Sequence, residues 1–523
     1  MLIAGVAGTA LVVARGRTGP IPGGGPDYRE AVVTGSSGLV LDPLLGRRDA
    51  ASRDAARLTH RALLRLDGRV VPVPDLAATY GVSGDGLAWR FQLAGDARWS
   101  NGEPVTADDV AATVALAQRP DLPDAVLTST WRGVIANVES PSVVTLTLPA
   151  ARAAFASQVA DLPVVPRAVA VLPTPRLVAE QRRPIAGTGA YTVASTGPDA
   201  TALVANPYHQ PAPRLQRMTL VVEPDFAAAE SAVARGRVDA VEAVTPGERA
   251  ALAGIGGLTL RDTVSLRFVD LLLNSRRPGL DDVAVRRALA TGIDRAALIR
   301  TALDGAGRPQ VDAEPEGIVW LGPGGTAVPD TVLAGRALDA AGWTAQGPGE
   351  VRAKGAQRLA FTLAVTDQAP LPAVAREVAR QLAGIGVAVT VAPVPADAFA
   401  RDVLGRQAYD VAVADWDSGA DPDISAYWRS NAVPPAGFNV SGLPADPFLD
   451  RALDDLATVL DPQLRAEAAN RVDQRLAGVV PAVFLYAPVT TFATASRVVG
   501  VTVPSAGTSG ERYDAVTGWD LRG

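Results

Sequence analysis

The chain has 523 residues, 48% hydrophobic and 20% charged, which is typical of a folded protein with large buried cores and excludes extensive disorder. Its net charge of −6, without a basic cluster, argues against nucleic-acid binding. The absence of cysteine excludes disulfides, thiolate nucleophiles and cysteine-based zinc sites, and His60 and His209 are the only histidines.

The first predicted element is the apolar run of residues 2–13. Membrane spans need about 20 residues, so this run is too short to be one, but it suits the apolar region of a signal sequence. No basic segment precedes it, and an ordinary buried helix or strand is the alternative. A Gly/Pro-rich stretch follows and predicts a flexible linker. We therefore expect residues 1–27 to be a signal or anchor remnant with its linker.

The next part of the chain, up to about residue 265, is predicted to contain many strands. Residues 29–45 predict a strand, a Gly/Ser turn and a short apolar segment, and residues 53–65 have helical spacing. Alternating patterns predict strands at 88–93 and 143–148, and further strands are expected at 191–194 and 218–222. Thr106 and Asp109 predict a capping box that starts a helix at residues 108–117.

From about residue 281 helices and strands alternate. Asp281 is placed to cap a helix whose apolar face carries Val285, Leu289, Ile293 and Leu298. Further helices are predicted at 372–382, 396–404 and 464–476, and strands at 387–391, 409–415 and 482–486. This alternation predicts a mostly parallel sheet covered by helices. An α+β half and an α/β half, divided near residue 265, predict a ligand site between them.

Short motifs occur along the whole chain. They are LDP at 41–43, VPDLA at 73–77, SGDGLAWRFQL at 83–93, WSNGEPVTADDV at 99–110, GTGAY at 187–191, RGRVD at 235–239, Asn274, VRRAL at 285–289, IDR at 293–295, AGW at 341–343 and residues 409–423. In this order they resemble the motifs of the bacterial extracellular solute-binding proteins of family 5 (cluster C), the ligand-capturing components of peptide, nickel and oligosaccharide ABC importers.

Several of these motifs also have purely structural interpretations. Asn101-Gly102 predicts a tight turn, and Gly187 and Gly189 are expected to allow positive φ. No Lys-Ser/Thr follows them at the spacing of a phosphate-binding loop. Arg286 and Arg287 are expected on a solvated or salt-bridging face between lobes rather than at a ligand site.

The resemblance implies an α/β fold of the two-lobed periplasmic-binding-protein type (type II, cluster C), with an extra α+β subdomain in the first lobe. The expected domains are residues 28–264 for lobe I, with the subdomain at about 75–183, and residues 265–486 for lobe II. Residues 487–523 would return to lobe I. Hinge segments are expected near 267–273 and 484–489.

The resemblance also places the ligand between the lobes. Peptide binders of the family pair the peptide backbone with main-chain groups. The matching segments here are Gly35, Ser36 and Ser37 in lobe I and Ala414, Asp415, Trp416 and Asp417 in lobe II.

The family pairs the peptide's ammonium group with an aspartate shortly after this tryptophan. The loop here is about one residue shorter and has Gly419 near that place, so Asp417 or Asp421 is expected to substitute. The alternative for Asp421 is that it only starts the next helix. Trp416 is expected at the cleft, whereas Tyr427 and Trp428 either line the cleft or pack in the core.

The expected function is therefore that of an extracytoplasmic substrate-binding component of an ABC importer, which captures peptides or a related solute by hinge closure. The expected partners are the ligand and the membrane permease and ATPase subunits, with no nucleic acid, cofactor or metal, and the chain is expected to be a monomer. Two alternatives stay open: a transporter-independent cell-envelope regulator or sensor, and an importer component for oligosaccharides. No triad or metal-ligand spacing favours an enzyme.

Overall fold

The computed structural model describes residues 27–34, 38–47, 49–313, 328–347 and 349–522. The predicted contact residues Gly35, Ser36 and Ser37 lie outside the described residues, as does nearly all of the predicted signal and linker. No helix in these described ranges has both the length and the apolar character needed to cross a membrane.

The described residues up to 265 form a strand-rich first part. Its elements in chain order are β1 (Tyr28–Val33), α1 (Ala50–Thr59), β2 (Leu64–Leu66), β3 (Pro72–Pro74), β4 (Ala77–Val82), β5 (Ala88–Leu93), α2 (Ala107–Ala117), α3 (Ala125–Trp131), β6 (Ile135–Ser140), β7 (Val143–Thr147), α4 (Phe155–Ala160), α5 (Arg167–Ala170), α6 (Thr174–Glu180), β8 (Tyr191–Thr196), β9 (Ala200–Ala205), β10 (Arg217–Glu223), α7 (Phe226–Ala234), β11 (Ala240–Ala243), α8 (Pro246–Ala253) and β12 (Leu258–Ser265).

The rest of the chain alternates between strands and helices before it returns to the first part. Its elements are β13 (Arg267–Leu273), α9 (Val283–Gly292), α10 (Arg295–Ala302), β14 (Gly307–Pro309), α11 (Thr331–Ala340), β15 (Ala353–Lys354), β16 (Gln357–Arg358), β17 (Ala360–Thr366), α12 (Leu371–Ala383), β18 (Ala388–Val394), α13 (Ala396–Ala398) with the π-helical segment Phe399–Leu404, β19 (Val411–Asp417), α14 (Ser425–Trp428), α15 (Pro447–Thr458), α16 (Pro462–Val479), β20 (Ala482–Ala495), β21 (Val498–Val499), β22 (Ala506–Gly507), the 3₁₀ segment Ser509–Gly518 and β23 (Asp520–Leu521).

One large sheet connects both parts, in the order β18-β17-β19-β13-β20-β11-β1-β10-β9-β8. The long strand β20 pairs with β13 through residues 482–486 and with β12 through residues 489–495. The sheet therefore divides into a first lobe around β1 and β8–β12 and a second lobe around β13 and β17–β19. Between them the chain passes from β12 to β13 through the single residue Leu266.

The sheet of the second lobe is buried on both faces. Along β13, Val269, Leu271 and Leu273 pack in one apolar cluster, and Phe268 and Leu272 pack in another on the opposite face. The prediction of a mostly parallel sheet is only half correct. β17 is parallel to β18 and β19, whereas β13 is antiparallel to β19 and β20, because β13 and β20 carry the chain between the lobes in opposite directions.

A second, antiparallel sheet lies within the first part of the chain, in the order β4-β5-β7-β6. It has its own core, in which Trp89 and Phe91 of the alternating strand β5 contact residues of α2 and α4. The predicted capping box at the start of α2 is confirmed, since the Asp109 carboxylate accepts hydrogen bonds from the Thr106 N–H and hydroxyl at 2.9 Å each.

The predicted helix after Asp281 is wrong in its extent. The cap is Asp282, whose carboxylate accepts from the Ala284 N–H, and the first helix ends at Gly292. Ile293 has extended backbone angles, and Asp294 caps a second helix that carries Leu298. A capping aspartate within the apolar pattern therefore marks a helix break that the hydrophobic spacing alone conceals.

The two glycines of the GTG turn are needed for a reason other than the predicted positive φ. A Cβ at Gly187 would lie 1.9 Å from the Thr59 carbonyl oxygen, and one at Gly189 would lie 2.3 Å from that of Leu58. The turn is thus pressed against the end of α1. Gly102, by contrast, has φ of +90°, which confirms the predicted Asn101-Gly102 turn.

Arg286 is not on the solvated or interlobe face that was expected. Its side chain is buried, and its guanidinium donates to the carbonyl oxygens of Val479, Val480 and Leu280. These carbonyls belong to the end of α16 and the loop before α9. Arg286 therefore closes the end of a helix inside the second lobe.

Candidate ligand-binding site

The predicted segment Ala414–Asp417 lies at the end of β19, next to the crossing between the lobes. On one side its main chain pairs with β13, with Ala414 opposite Asp270 and Asp417 opposite Arg267. On the other side β17 pairs with residues 411–413 of β19 but not with Ala414–Asp417. In the described part of the chain, one strand edge of Ala414–Asp417 is therefore left without a strand partner.

Trp416 stands beside this edge and is partly exposed. Its ring meets Tyr427 edge-on with centroids 5.2 Å apart, and Tyr427 stacks on Phe438 at 5.8 Å. Phe438 is 56% exposed, so the three rings form an aromatic wall that reaches solvent. Trp428, in contrast, is buried against Phe484 and belongs to the core.

Asp270 holds Trp416 from inside the sheet. Its Oδ1 accepts a hydrogen bond of 3.1 Å from the indole N–H. The side chain is fully buried, and its Oδ2 has no hydrogen-bond partner among the described residues. Burial raises the pKa of Asp270 well above its ordinary value, and the nearby Asp415 carboxylate adds to this effect. Burial therefore favours the protonated form of the Asp270 carboxyl group.

Asp415 is bound by an arginine that the sequence analysis did not single out. Arg267 Nε and Nη2 donate to the two carboxylate oxygens at 3.1 and 2.7 Å. Burial raises the pKa of Asp415, and the Arg267 guanidinium lowers it. The two residues belong to neighbouring strands, so their pairing follows from the strand register and has no signal within a single segment.

The loop after β19 is fixed at several points. The Ser418 N–H and hydroxyl donate to the Leu266 carbonyl oxygen at 3.2 and 2.9 Å. Ala420 packs with Leu66 and Val70 of the first part of the chain. Gly419 is exposed with φ of +67°, which confines that position to glycine-like geometry.

The two aspartates considered for an ammonium group differ in their surroundings. The Asp421 carboxylate is nearly buried and receives the Arg465 Nη1 and Nη2 donors at 3.1 and 2.7 Å. Asp417 is exposed; its Oδ1 accepts from the Gly419 N–H, and its carbonyl oxygen accepts from the Tyr427 hydroxyl. Of these two aspartates, Asp417 alone has no cationic partner for its carboxylate among the described residues.

In the first lobe, the described residues on either side of Gly35–Ser37 are Thr34, directly after β1, and Gly38, whose φ is +65°. The guanidinium of Arg182 covers Gly38, since its Nη2 lies 3.2 Å from the position a Cβ would take there. Arg182 belongs to no motif and is exposed, so the sequence offered no signal for it.

With this geometry established, comparison with known proteins decides the family. The family model described as bacterial extracellular solute-binding proteins, family 5 Middle, matches residues 71–436. The chain belongs to this family. Protein XP55 of Streptomyces lividans is 31% identical over 470 residues, covering 88% of this chain and 84% of that protein.

Two further similarities concern proteins whose names mention peptides. The oligopeptide-binding protein OppA of Mycobacterium bovis is 26% identical over 405 residues, covering 73% of this chain and 66% of OppA. The structure of the oligopeptide-binding protein AppA of Bacillus subtilis, in complex with a nonapeptide, matches with a TM-score of 0.70 and 21% identity. That match covers 95% of this chain and 99% of AppA and confirms the predicted two-lobed fold. The family's relatives are binding proteins of transporters.

Proposed function

We propose that this protein captures peptides in the cleft between its lobes as the extracytoplasmic substrate-binding component of an ABC importer. The observation that carries the proposal is the unpaired edge of Ala414–Asp417 beside the aromatic wall. An extended peptide adds to such an edge through main-chain hydrogen bonds, which accept many side-chain sequences.

The aromatic wall supports the same ligand class. Trp416, Tyr427 and Phe438 offer apolar faces next to the strand edge, where the side chains of a paired peptide would lie. Rigid aromatic side chains lose little conformational entropy on binding and cover apolar groups of varied shape. Backbone pairing together with an adaptable apolar surface suits a protein that binds peptides of many different sequences.

Asp417 is the proposed partner of the peptide's ammonium group. The alternative, Asp421, is occupied by Arg465. Moving an ammonium group out of water requires a carboxylate partner, and the free oxygen of Asp417 meets this need at the end of the unpaired edge. Arg182 covers Gly38 and is the proposed contact for a ligand carboxylate from the first lobe.

The lobes are proposed to close by rotating about residues 267–273 and 484–489. Lobe I is proposed to comprise residues 28–264 and 487–523, and lobe II residues 265–486. The adjacent crossings of β12–β13 and β20 support this location. The proposed partners are the permease and ATPase of the importer, and the N-terminal segment is the proposed link to the membrane.

A thermal-shift titration of the full-length protein with pools of di- to pentapeptides tests the proposal. Peptide at about 100 times its dissociation constant stabilises the native state by roughly 2.7 kcal/mol. Acetylation of the peptide's N-terminus is expected to weaken binding by about tenfold or more, because the ammonium–Asp417 contact is lost. Asp417→Asn should bind free and acetylated peptides alike.

The matched control is Asp423→Asn, in the same loop, which should keep the preference for free peptides. Absence of a shift with every peptide pool contradicts the proposal. A shift only with oligosaccharide pools would keep the cleft and change the ligand class, which the aromatic wall also suits. No shift with either class would favour an envelope regulator or sensor.

A further inference from the structure

A separate cavity of about 360 Å³ lies in the first lobe, away from the cleft. Its walls come from α1 and the segment that follows it, from residues 74–75 and 160–163, from the loop at 209–211 and from residues 513–517. No residue of the second lobe lines it. The cavity is therefore distinct from the strand edge of Ala414–Asp417.

The cavity, which we call the arginine-lined cavity, is lined by five arginines and three aspartates. Its ionisable lining residues, apart from the two histidines, are Arg47, Arg53, Arg57, Arg61, Arg65, Asp75, Asp161 and Asp514. The aspartates are already engaged: Arg47 pairs with Asp161, Arg61 with Asp75, and Arg57 with Asp514 at 3.4 Å.

Two arginines are left over. Within the described ranges Arg53 donates only to the Arg47 carbonyl oxygen at 3.2 Å, and Arg65 has no ion pair within 4 Å. Arg53, Arg57 and His60 follow one another at helical spacing along α1 and its C-cap, so one stripe of the helix faces the cavity. Asp124 and Glu511, which do not line the cavity, also pair with Arg47 and Arg57, so among the described residues Arg53 and Arg65 are the lining arginines without a carboxylate within 4 Å.

Both histidines of the chain also line this cavity. His60 is 5% exposed, and its Nε2 has no hydrogen-bond partner among the described residues. Its Nδ1 lies 2.9 Å from the Thr59 hydroxyl oxygen. The Thr59 hydroxyl donates to the carbonyl oxygens of Ala55 and Ala56 at 3.2 and 3.3 Å, so it accepts from the His60 Nδ1–H, and Nε2 is a buried acceptor without a donor among the described residues. A buried acceptor of this kind is costly unless a donor, such as the hydroxyl of a protonated oxyanion, reaches it.

We propose that the arginine-lined cavity binds a small oxyanion with at least two negative charges, a phosphate compound or a polycarboxylate. Guanidinium groups bind both classes through paired N–H donors, and the cavity volume suits a small solute. The anion would lie between α1, the subdomain and the C-terminal 3₁₀ segment and would hold these three parts of the first lobe together.

Titration of the full-length protein with inorganic phosphate, pyrophosphate and citrate, followed by thermal shift and calorimetry, tests this inference. Ionic strength is held constant with sodium chloride, because added salt alone screens surface charges. A saturable shift is expected, and Arg53→Gln and Arg65→Gln should each weaken binding by about tenfold or more. Arg69→Gln, an exposed arginine close by in the sequence, is the matched control and should bind as the wild type does.

The arms distinguish the two sources of the anion: a shift with citrate alone assigns a polycarboxylate, and a shift with phosphate or pyrophosphate alone assigns a phosphate compound. His60→Leu tests the imidazole and should also weaken binding. The inference is overturned if no anion gives a saturable shift, or if both arginine variants bind as the wild type does. Loss of the shift in Arg182→Gln would place the anion in the cleft and overturn it as well.

Discussion

Each lobe buries an arginine, and the groups that compensate these two arginines differ. In the first lobe the buried Arg512 donates to Asp54 at 2.6 Å and to Glu30 at 2.8 Å, and the Tyr28 and Tyr513 hydroxyls donate to Glu30. In the second lobe Arg295 is also buried but donates to the carbonyl oxygens of Gln310 and Phe484. Arg512 is compensated by carboxylates in direct contact, whereas Arg295 is compensated mainly by peptide dipoles and by the charge of Asp312.

This difference in the partners of the two arginines agrees with the positions of these residues along the chain. Glu30 is in β1, Asp54 is in α1 and Arg512 is in the C-terminal 3₁₀ segment, so their network ties the end of the chain to its beginning. Breaking a buried pair of this kind leaves a charge without a partner, which makes the arrangement rigid. In the second lobe Arg465 and Asp421 also form a nearly buried ion pair, but Arg295 and Asp270 are buried without an ion pair within 4 Å among the described residues.

Arg512→Met is expected to have the largest effect. It leaves Glu30 and Asp54 buried without their cation and should lower the free energy of unfolding by about 3–5 kcal/mol, measured by urea denaturation at pH 8. Arg295→Met is the matched variant, since both arginines are buried. It leaves only carbonyl oxygens unpaired and should cost about 1–3 kcal/mol.

Measuring the free energy of unfolding of these variants at several pH values tests the same comparison further. Without Arg512 the two carboxyl groups hold protons more tightly in the folded state than in the unfolded state, so Arg512→Met should lose less stability at pH 5 than at pH 8. Equal losses in Arg512→Met and Arg295→Met at pH 8 would contradict the comparison between the lobes.

Glu242, beside the Arg512 network, should give the next largest effect on the free energy of unfolding. Burial raises its pKa to about 7, with Arg512 opposing the shift and Asp54 and Glu30 adding to it. The folded state then keeps a proton that the unfolded state loses above pH 4.5. Stability should fall by up to about 1.4 kcal/mol per pH unit between pH 4.5 and 7 and level off above that.

Glu242→Gln removes this titration and should flatten that interval. The variant should be about as stable as the wild type at pH 4.5 and more stable at pH 8. Glu248→Gln is not a suitable control, because Glu248 caps α8, so Glu230→Gln on α7 serves instead. An unchanged slope in Glu242→Gln would assign the pH dependence to another group.

Features that depend on residues close together in the sequence could be predicted from it. The alternation of Trp89 and Phe91, the Thr106 capping box and the order of the motifs gave elements that the structure confirms. Local preferences decide these features. The break at Ile293 was missed because the apolar spacing continues across it, although Asp294 signals a new cap.

The features that were missed are pairs of residues distant in sequence. Asp421 meets Arg465, Asp415 meets Arg267, and Trp416 meets Asp270, all through strand register or helix packing. Residue patterns within one segment of the sequence contain no information on such pairs. The proposal of Asp417 over Asp421 therefore rests on the position of Arg465, which the sequence does not show.

Asp270 provides the test with the smallest expected effect. Asp270→Asn keeps an oxygen for the Trp416 indole N–H and should change the stability by less than about 1 kcal/mol at low pH. Asp270→Ala removes the acceptor and should cost about 1–3 kcal/mol. Because burial raises the pKa of Asp270, the wild type should lose stability as the pH rises from about 4, while Asp270→Asn should not.

Tryptophan fluorescence adds a readout specific to the candidate site. In Asp270→Ala the Trp416 indole loses its anchor, so its emission should change and free peptides should bind more weakly, whereas Asp270→Asn should keep both properties. Val269→Ala, at the neighbouring position on the opposite face of β13, is the control for damage to the strand alone. If Val269→Ala weakened peptide binding as much as Asp270→Ala did, the sheet as a whole would position the site, and the hydrogen bond to Trp416 would have no separate role.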